Sequence, residues 1–160
     1  MADLVPAGEE RLSRIRTEEQ APREFLAFSL AGELYGVELT RIHEILSPPP
    51  LTPVPRAPQE VLGVCSVRGL LVTVVDLRRR LKLGQPETTR RARILLTRTK
   101  EGEVLGLFVD EVHQVVRFPQ TEIEVAVNVL GGDVSEHVLG IARPGNTLII
   151  LLDLASIVGE

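Results

Sequence analysis

The sequence repeats one pattern of short aliphatic runs, and this repeat constrains the fold more than any other feature of the chain. Residues 34–46 (LYGVELTRIHEIL) align with residues 104–116 (VLGLFVDEVHQVV) at a constant offset of 70. Further along, VLGV and LVTVVDL align with VLGI and LIILLDL at a constant offset of 77. One loop insertion would produce the difference between the two offsets. The pattern therefore predicts two similar small β-subdomains, with repeat segments 34–77 and 104–154.

Each repeat is too small to bury all of its apolar surface, so we expect the two subdomains to share a hydrophobic core along a common seam. The chain has 160 residues, of which 44% are hydrophobic but only 3% are aromatic. The core must therefore consist of Val, Leu and Ile, which favour the pleated, half-buried surface of a sheet. We predict an all-β domain with short helices over 23–160, preceded by a flexible N-terminal segment over 1–22.

The turn residues between the apolar runs predict where the strands begin and end. Two hairpins are expected, over 25–39 and 93–110, together with strands over 61–67, 70–76, 112–118, 138–142 and 148–152. Short helical turns are predicted over 41–46, with Thr40 as the N-cap, and over 77–81 and 153–158. The remaining stretches are predicted to be a proline-rich extended segment after residue 46 and loops over 84–91 and 119–136.

Glycine and aspartate recur at aligned positions in the two repeats. Asp76 and Asp153 each follow a strand and precede a helical turn, which is typical of an N-cap. A single active site would not need two such aspartates. The aligned glycines interrupt apolar strands, where a bulge or a tight bend at a barrel corner is expected, and they are Gly36, Gly63, Gly106 and Gly140.

The sequence contains no arrangement of reactive residues that predicts catalysis or a cofactor. The three histidines, His43, His113 and His137, have no standard metal-ligand spacing, and a cysteine pair is absent. Cys65 lies within a predicted strand and is expected to be a small buried hydrophobe. Neither a G-x-S-x-G turn nor a phosphate-binding glycine loop occurs. We therefore expect a protein that is not an enzyme and binds no cofactor or metal.

The charge of the chain restricts the classes of partner. The net charge is −4, whereas a general nucleic-acid binder is usually basic. Two basic clusters, 78–80 and 90–93, keep a nucleic-acid-binding β-barrel as the alternative, although aromatic residues for base stacking are lacking beside them. The apolar runs are too short to span a membrane, and the N-terminus lacks a secretory h-region. We expect a cytoplasmic protein that does not insert directly into a membrane.

One pair of charged residues is a candidate for binding other proteins. Glu44 lies among apolar residues, and Arg68 lies beside Gly69 at the tip of a predicted hairpin. An ion pair on the surface adds little stability. An arginine presented on a rigid turn is also a good interface anchor. From the residues alone both interpretations remain open.

The motifs on both sides of this pair resemble those of the CheW family of chemotaxis coupling proteins. The stretch FLAFSLAGELYGVELTRIHEIL is followed by LTPVPRAPQEVLGVCSVRGLLVTVVDLRRRL, and the second half continues with GLFVDEV and VLGIARPGNTLIILLDL. Together these motifs cover about residues 24–158. Two departures from the family pattern lie close together, since Ser66-Val67 replaces Asn-Leu before Arg-Gly, and Thr73 replaces a proline.

The resemblance implies two intertwined, five-stranded SH3-like β-barrels that share a core. It also implies an adaptor that couples the cytoplasmic tip of chemoreceptors to the regulatory domain of a CheA-type histidine kinase, within receptor arrays and with no cofactor. The departures raise the alternative of a paralogue that serves a different receptor–kinase pair controlling surface motility. The partner-binding residues that the resemblance implies are Ile42, Glu44, Val67, Arg68, Gly69 and Leu70.

Overall fold

The computed structural model describes residues 21–84, 89–125 and 136–159. Most of them form ten strands, which are β1 (Pro22–Leu30), β2 (Glu33–Glu38), β3 (Glu44–Leu46), β4 (Val61–Val67), β5 (Leu70–Asp76), β6 (Arg93–Arg98), β7 (Val104–Val109), β8 (Glu111–Pro119), β9 (Val138–Ala142) and β10 (Ile149–Leu152). The helical turns are α1 (Leu77–Arg80), α2 (Leu154–Ile157) and the 3-10 segments Leu39–Arg41, Gln120–Glu122 and Pro144–Asn146. Residues 1–20 of the predicted flexible segment lie outside the described residues, as do parts of the two predicted loops.

The ten strands form two five-stranded sheets, and each sheet takes strands from both repeats. In barrel A the strand order is β8-β1-β2-β10-β9, and in barrel B it is β3-β6-β7-β5-β4. The first two strands of each repeat therefore pair with the last three strands of the other repeat. Each barrel contains one parallel pair, β2 with β10 in barrel A and β5 with β7 in barrel B. The predicted all-β fold with two five-stranded subdomains is confirmed, and the strand exchange interlocks them.

Residues that align in the two repeats occupy equivalent places in the two barrels. The backbone N–H of Asp76 donates to the carbonyl of Glu60 over 2.7 Å, and 77 residues later the N–H of Asp153 donates to the carbonyl of His137 over 2.7 Å. Because the same hydrogen bond closes the same strand in both barrels, the offsets read from the sequence identify corresponding atoms. Any position in one barrel can therefore be compared directly with its counterpart in the other.

Gly63 and Gly140 are counterparts at which the backbone of another segment passes closely. A Cβ at Gly63 would lie 2.5 Å from the carbonyl oxygen of Thr52, and a Cβ at Gly140 would lie 2.6 Å from that of Glu124. These distances are far below van der Waals contact, and the obstacle is backbone, which cannot rotate away as a side chain can. Each glycine thus allows a crossing segment to bridge to its strand.

A central core joins the two barrels. It contains Leu26, Phe28 and Val37 from barrel A, and it continues into barrel B. Side chains alternate along a strand, so neighbouring residues of one strand enter different cores. The barrel B members of the central core are Leu95, Leu107 and Val109, and each barrel also has a smaller core of its own, with Phe25, Phe118, Ala142, Ile149 and Leu151 in barrel A and Cys65, Val72, Val74, Ala92, Ile94, Leu96 and Phe108 in barrel B.

The helix predicted over 41–46 is wrong. The helical turn ends at Arg41, the Thr40 side chain does not cap it, and Glu44–Leu46 forms strand β3 against β6. This segment carries the chain from barrel A to barrel B, where the edge of β6 needs a partner, and the N–H of His43 already donates to the carbonyl of Leu96 over 2.9 Å. Tertiary pairing therefore overrides the spacing of apolar residues, which in so short a strand fits a helix equally well.

The two predicted N-caps differ in the structure. The carboxylate of Asp76 accepts a hydrogen bond from the N–H of Arg78 over 3.0 Å, so the N-cap at α1 is confirmed. Asp153 precedes α2, but its side chain makes no capping hydrogen bond, so that prediction is wrong. Asp153 instead uses its backbone, with its N–H donating to the carbonyl of His137 and its carbonyl accepting from the N–H of Ile157 over 3.1 Å.

A buried ion pair holds the seam at the point where the chain passes from β7 in barrel B to β8 in barrel A. Asp110 joins these strands, and its carboxylate accepts from the N–H of Ala31 in the β1–β2 turn over 2.8 Å. The same oxygen lies 3.3 Å from Nη1 of Arg78 on α1, and both side chains are largely buried. Asp110 therefore connects a turn of barrel A to a helix that follows barrel B.

Candidate functional site

The β4–β5 turn presents Arg68 in an unfavourable backbone conformation. Arg68 and Gly69 have φ values of 50° and 80°, and two consecutive positive φ values define a type I′ hairpin turn. In barrel A the counterparts are Gly145 and Asn146, with φ values of 55° and 68°. Glycine and asparagine tolerate this region, whereas arginine does not favour it. Because a strained residue that persists in a structure is a reason to look for function, the Arg68 side chain is the first candidate.

Glu44 on β3 holds this arginine in place. Nη1 of Arg68 donates to Oε2 of Glu44 over 2.7 Å, and Nη2 donates to Oε1, so the contact is a two-pronged fork. The Arg68 side chain is 73% exposed, whereas that of Glu44 is 27% exposed. The hydrogen bond to Glu44 is also the main reason why the pKa of Arg68 is raised. Glu44 thus fixes the direction of a guanidinium group that solvent and partners can reach.

The fork stands at the edge of a cleft of about 200 Å³ at the mouth of barrel B, which we call the Arg68 cleft. Its apolar part comes from strands of the barrel B core, and its polar part comes from four basic or acidic side chains. Its lining residues are His43, Glu44, Val67, Arg68, Leu70, Val72, Leu96, Arg98 and Val104.

One large apolar side chain of the cleft is open to solvent. Leu70, which begins β5 and lines the cleft, is 54% exposed. Leu71 and Ile45 are 72% and 42% exposed, but each follows a cleft residue along its strand, so its side chain faces the opposite side of the sheet. An exposed apolar side chain beside a directed arginine is typical of a protein-binding surface. The arrangement can bind a folded partner by burying Leu70 beside Arg68.

The structure brings together most of the residues predicted to bind partners. Glu44, Val67, Arg68 and Leu70 line the cleft, and Gly69 completes the turn that carries Arg68. Ile42 lies elsewhere, partly buried against the central core.

Sequence reasoning missed His43, Leu96, Arg98 and Val104. Period-2 alternation along β6 could have identified Leu96 and Arg98, because both share a face with the buried Ile94.

Barrel A has a cleft at the equivalent place, which we call the counterpart cleft. It is larger, at about 580 Å³, and its lining contains no aspartate, glutamate, lysine or arginine among the residues that the structure describes. Gln114 takes the place of Glu44, and Thr147 takes that of Leu70. The full lining is Ala27, Leu34, His113, Gln114, Val116, Pro144, Thr147 and Ile149.

The basic cluster at 78–80 is used inside the protein. Arg78 pairs with Asp110, Arg79 donates to the carbonyl of Gln59 over 3.0 Å, and Arg80 donates to the carbonyl of Ile157 over 3.1 Å. In the second cluster, Arg91 pairs with Glu111 and Arg93 donates to backbone carbonyls. The three guanidinium groups of the first cluster are committed to internal contacts and do not form a patch for a phosphate backbone, which weakens the nucleic-acid alternative.

The residues that could act as nucleophiles have structural roles. Cys65 is buried in the barrel B core, and burial raises the pKa of its thiol, which keeps it protonated. Nδ1 of His137 lies 2.7 Å from Oγ of Ser156, and the same hydroxyl lies 3.2 Å from the carbonyl oxygen of Glu136, so it is held between two local partners. Within residues 21–84, 89–125 and 136–159, no three His, Cys, Asp or Glu side chains come together as a metal site would require.

Among these same described residues, none of the helices is long and apolar enough to cross a membrane.

Comparison with known proteins identifies relatives of the whole domain. A protein-family model described as a CheW-like domain matches residues 24–160. Protein FrzA of Myxococcus xanthus is 34% identical over 122 residues, which cover 76% of this chain and 74% of that protein. The chemotaxis protein CheW of Thermotoga maritima is 30% identical over 149 residues, covering 91% and 95% of the two chains.

A solved structure shares the fold. The crystal structure of the scaffolding protein TtCheW from Thermoanaerobacter tengcongensis superimposes with a TM-score of 0.78 and 32% sequence identity. The match covers 85% of this chain and 92% of that one. At this level of similarity the two interlocked SH3-like barrels are common to both proteins.

Proposed function

Because the chain belongs to the CheW-like family of non-catalytic chemotaxis adaptors, we propose that it couples the cytoplasmic tip of chemoreceptors to the regulatory domain of a CheA-type histidine kinase. One observation carries this proposal: Arg68 adopts a conformation that its counterpart Gly145 adopts without strain, and Glu44 holds its guanidinium group over an open cleft. Such an arrangement costs backbone energy without adding core packing, so binding is the function that explains it.

The kinase regulatory domain docks on the Arg68 cleft in this proposal. Leu70 and Val67 supply apolar surface, and Arg68 supplies a directed donor, which is the combination found at interface hot spots. The docking residues are those predicted from the sequence except Ile42, which lies outside the cleft. Among them, Glu44 acts by orienting Arg68, and Gly69 acts by permitting the turn. We expect a reversible interface of the transient class, burying about 1,200 Å² or less.

The receptor tip docks at the seam between the barrels. A groove of about 300 Å³ lies there between β5 and β7 of barrel B and the end of α2. Apolar residues such as Val75 and Leu105 line it together with the charged Glu60 and Arg80. A groove that offers apolar and charged contacts side by side suits an amphipathic helix. Two separate surfaces on one rigid body allow the adaptor to hold both partners at once, in the cytoplasm and within receptor arrays.

The departures of this chain from the family pattern bear on which signalling pathway it serves. Ser66 and Val67 precede Arg68 where the pattern has Asn-Leu, and Thr73 replaces a proline on the adjoining strand. Since Val67 lines the cleft, the change at this position alters the surface that the partner meets. This difference favours a receptor–kinase pair of its own, for which surface motility is the candidate output.

Receptor-dependent phosphorylation tests the proposal directly. Receptor, kinase and adaptor from the native organism are reconstituted with wild type, Arg68→Ala or Glu44→Ala, with Arg91→Ala as a control on the same molecule. Both cleft variants should retain the wild-type melting temperature but lose stimulation of the kinase by the receptor. Full stimulation with both variants would refute the assignment of the site, and absence of stimulation with wild type would refute the function.

A pull-down from native lysate followed by mass spectrometry identifies the partners. Recovery of a CheA-type kinase and of receptors supports the adaptor. Recovery of a kinase other than that of the flagellar chemotaxis system supports the separate pathway.

A further inference from the structure

We infer that Arg98 is a specificity-determining residue of the Arg68 cleft and that it selects a partner presenting an acidic side chain flanked by apolar ones. This inference rests on the proposed docking of the kinase regulatory domain at that cleft. It concerns which chemistry the cleft accepts, and sequence motifs around Glu44 and Arg68 do not point to it.

The position of Arg98 follows from the alternation of β6. Ile94 and Leu96 face the barrel B core, and Arg98 continues the same face where the strand ends. The row therefore passes from buried aliphatic side chains to an exposed guanidinium group that lines the mouth of the cleft.

Arg98 gives the cleft its net charge. The carboxylate of Glu44 neutralises Arg68 through the two-pronged fork. Arg98 has no carboxylate partner among the residues that the structure describes. Among Glu44, Arg68 and Arg98, one positive charge therefore remains uncompensated in the lining. A guanidinium group at the edge of an apolar cleft binds a carboxylate through paired, charge-assisted hydrogen bonds.

The counterpart cleft shows that this charge is not a requirement of the fold. On β1 the row equivalent to Ile94, Leu96 and Arg98 is Phe25, Ala27 and Ser29. The counterparts of Glu44 and Arg68 are also uncharged, being Gln114 and Gly145. The same backbone thus forms one neutral cleft and one positive cleft within a single chain.

The net charge of the whole chain makes the positive cleft selective. At −4, the protein repels an acidic surface in general, so an acidic partner is attracted only where the local charge is reversed. The neighbouring β6–β7 turn carries Lys100, Glu101 and Glu103, but none of these side chains lines the cleft. Lys100 therefore provides a control, because it is an exposed cation two residues from Arg98 and outside the cleft.

Binding of the kinase regulatory domain to the full-length adaptor tests the inference. Stopped-flow kinetics and calorimetry at 50 and 300 mM salt are compared for wild type, Arg98→Gln, Arg98→Glu and Lys100→Gln. Arg98→Gln should weaken binding about two- to five-fold, mainly through the association rate, and should flatten its salt dependence. Arg98→Glu should weaken binding about ten-fold or more, because a like charge then meets the partner carboxylate.

The outcomes separate the inference from the proposed function. If wild type binds and Arg68→Ala weakens binding, but Arg98→Gln and Arg98→Glu both behave like Lys100→Gln, the inference is overturned and the docking site stands. If wild type fails to bind the regulatory domain, the proposed function fails and the inference fails with it. Restoration of Arg98→Glu binding by a single acid-to-lysine change on the kinase domain would support the inference and identify the partner residue.

Discussion

The ion pair between Arg78 and Asp110 offers a quantitative test of how the two barrels are held together. The atoms are 3.3 Å apart, so the Coulomb attraction is about 5 kcal/mol at an effective dielectric constant of about 20. Desolvation of two largely buried charges offsets much of that gain. Removing one partner should nevertheless be costly, because the other charge stays buried without compensation, and both Nε of Arg78 and Oδ1 of Asp110 already lack hydrogen-bond partners within the described residues.

We predict that Asp110→Asn and Arg78→Gln each lower the free energy of unfolding by about 2–3 kcal/mol. The amide oxygen that Asp110→Asn introduces can still accept from the N–H of Ala31. The stability that this variant loses therefore measures mainly the removal of the charge. The double variant should lose about 1–2 kcal/mol less than the sum of the single losses. Urea denaturation at pH 7 supplies all four values.

Single losses below about 0.5 kcal/mol, or additive losses, would refute the view that this pair fixes the seam. The same variants separate stability from function. If the pair also sets the relative orientation of the two barrels, each variant should bind the isolated kinase domain normally but transmit receptor stimulation poorly.

Three further predictions test the fold. Gly140→Ala should cost about 1–3 kcal/mol, because its Cβ would lie 2.6 Å from a backbone oxygen, whereas Gly36→Ala should cost less, since its nearest obstacle is a flexible side chain at 3.1 Å; equal losses in urea denaturation would contradict this. Burial raises the pKa of Asp76, so this carboxyl contributes stability that is fully present below its ordinary value of 3.8 and is lost as pH rises through the folded pKa. Asp76→Asn should therefore gain stability relative to wild type between pH 3.5 and pH 7, and a pH-independent difference would contradict the assignment. Fragments 21–84 and 89–160 should form a 1:1 complex in analytical ultracentrifugation when mixed, because each barrel needs strands from both, and folding of either fragment as an isolated monomer would contradict the strand exchange.

The strands could be predicted from the sequence because each is an apolar run bounded by turn residues. The β1–β2 and β6–β7 hairpins have clear turns, and their predicted limits agree with the structure to within a few residues. The segment over 41–46 could not be assigned in this way. Three residues are too few for a period-2 pattern, and the strand exists only because the free edge of β6 lies beside it.

The repeat pattern alone does not predict which strands form each sheet, although the family resemblance implies intertwined barrels. The repeat predicts two similar subdomains, but it fits two arrangements equally well. Each barrel can take all five of its strands from one repeat, or it can combine strands from both repeats. Only the short crossing segment between β2 and β3, and its counterpart at Asp110, decide between these arrangements. Such a choice depends on loop geometry and on the central core rather than on any local preference.

The residues of the candidate site also differ in whether the sequence identifies them. Arg68, Glu44 and Leu70 could be identified because they belong to recognisable motifs, and the structure places them in one cleft. Arg98 belongs to no motif. The alternation along β6 places Arg98 on the same face as Leu96, but only the sheet shows that the end of this face lies at the cleft.

Charge differences between the two clefts explain how a duplicated fold can distinguish its partners. Glu44 on β3 and Arg68 in the β4–β5 turn belong to the first repeat, and Arg98 on β6 belongs to the second. Each of these residues lines the barrel B cleft alone, so a substitution at any of them leaves the counterpart cleft unchanged. Three positions, each occupied by a charged residue in barrel B and by an uncharged one in barrel A, are then enough to make one cleft positive and leave the other neutral. With two identical clefts the kinase domain could dock on either barrel, whereas this difference in charge favours the barrel B cleft for the acidic partner that we infer.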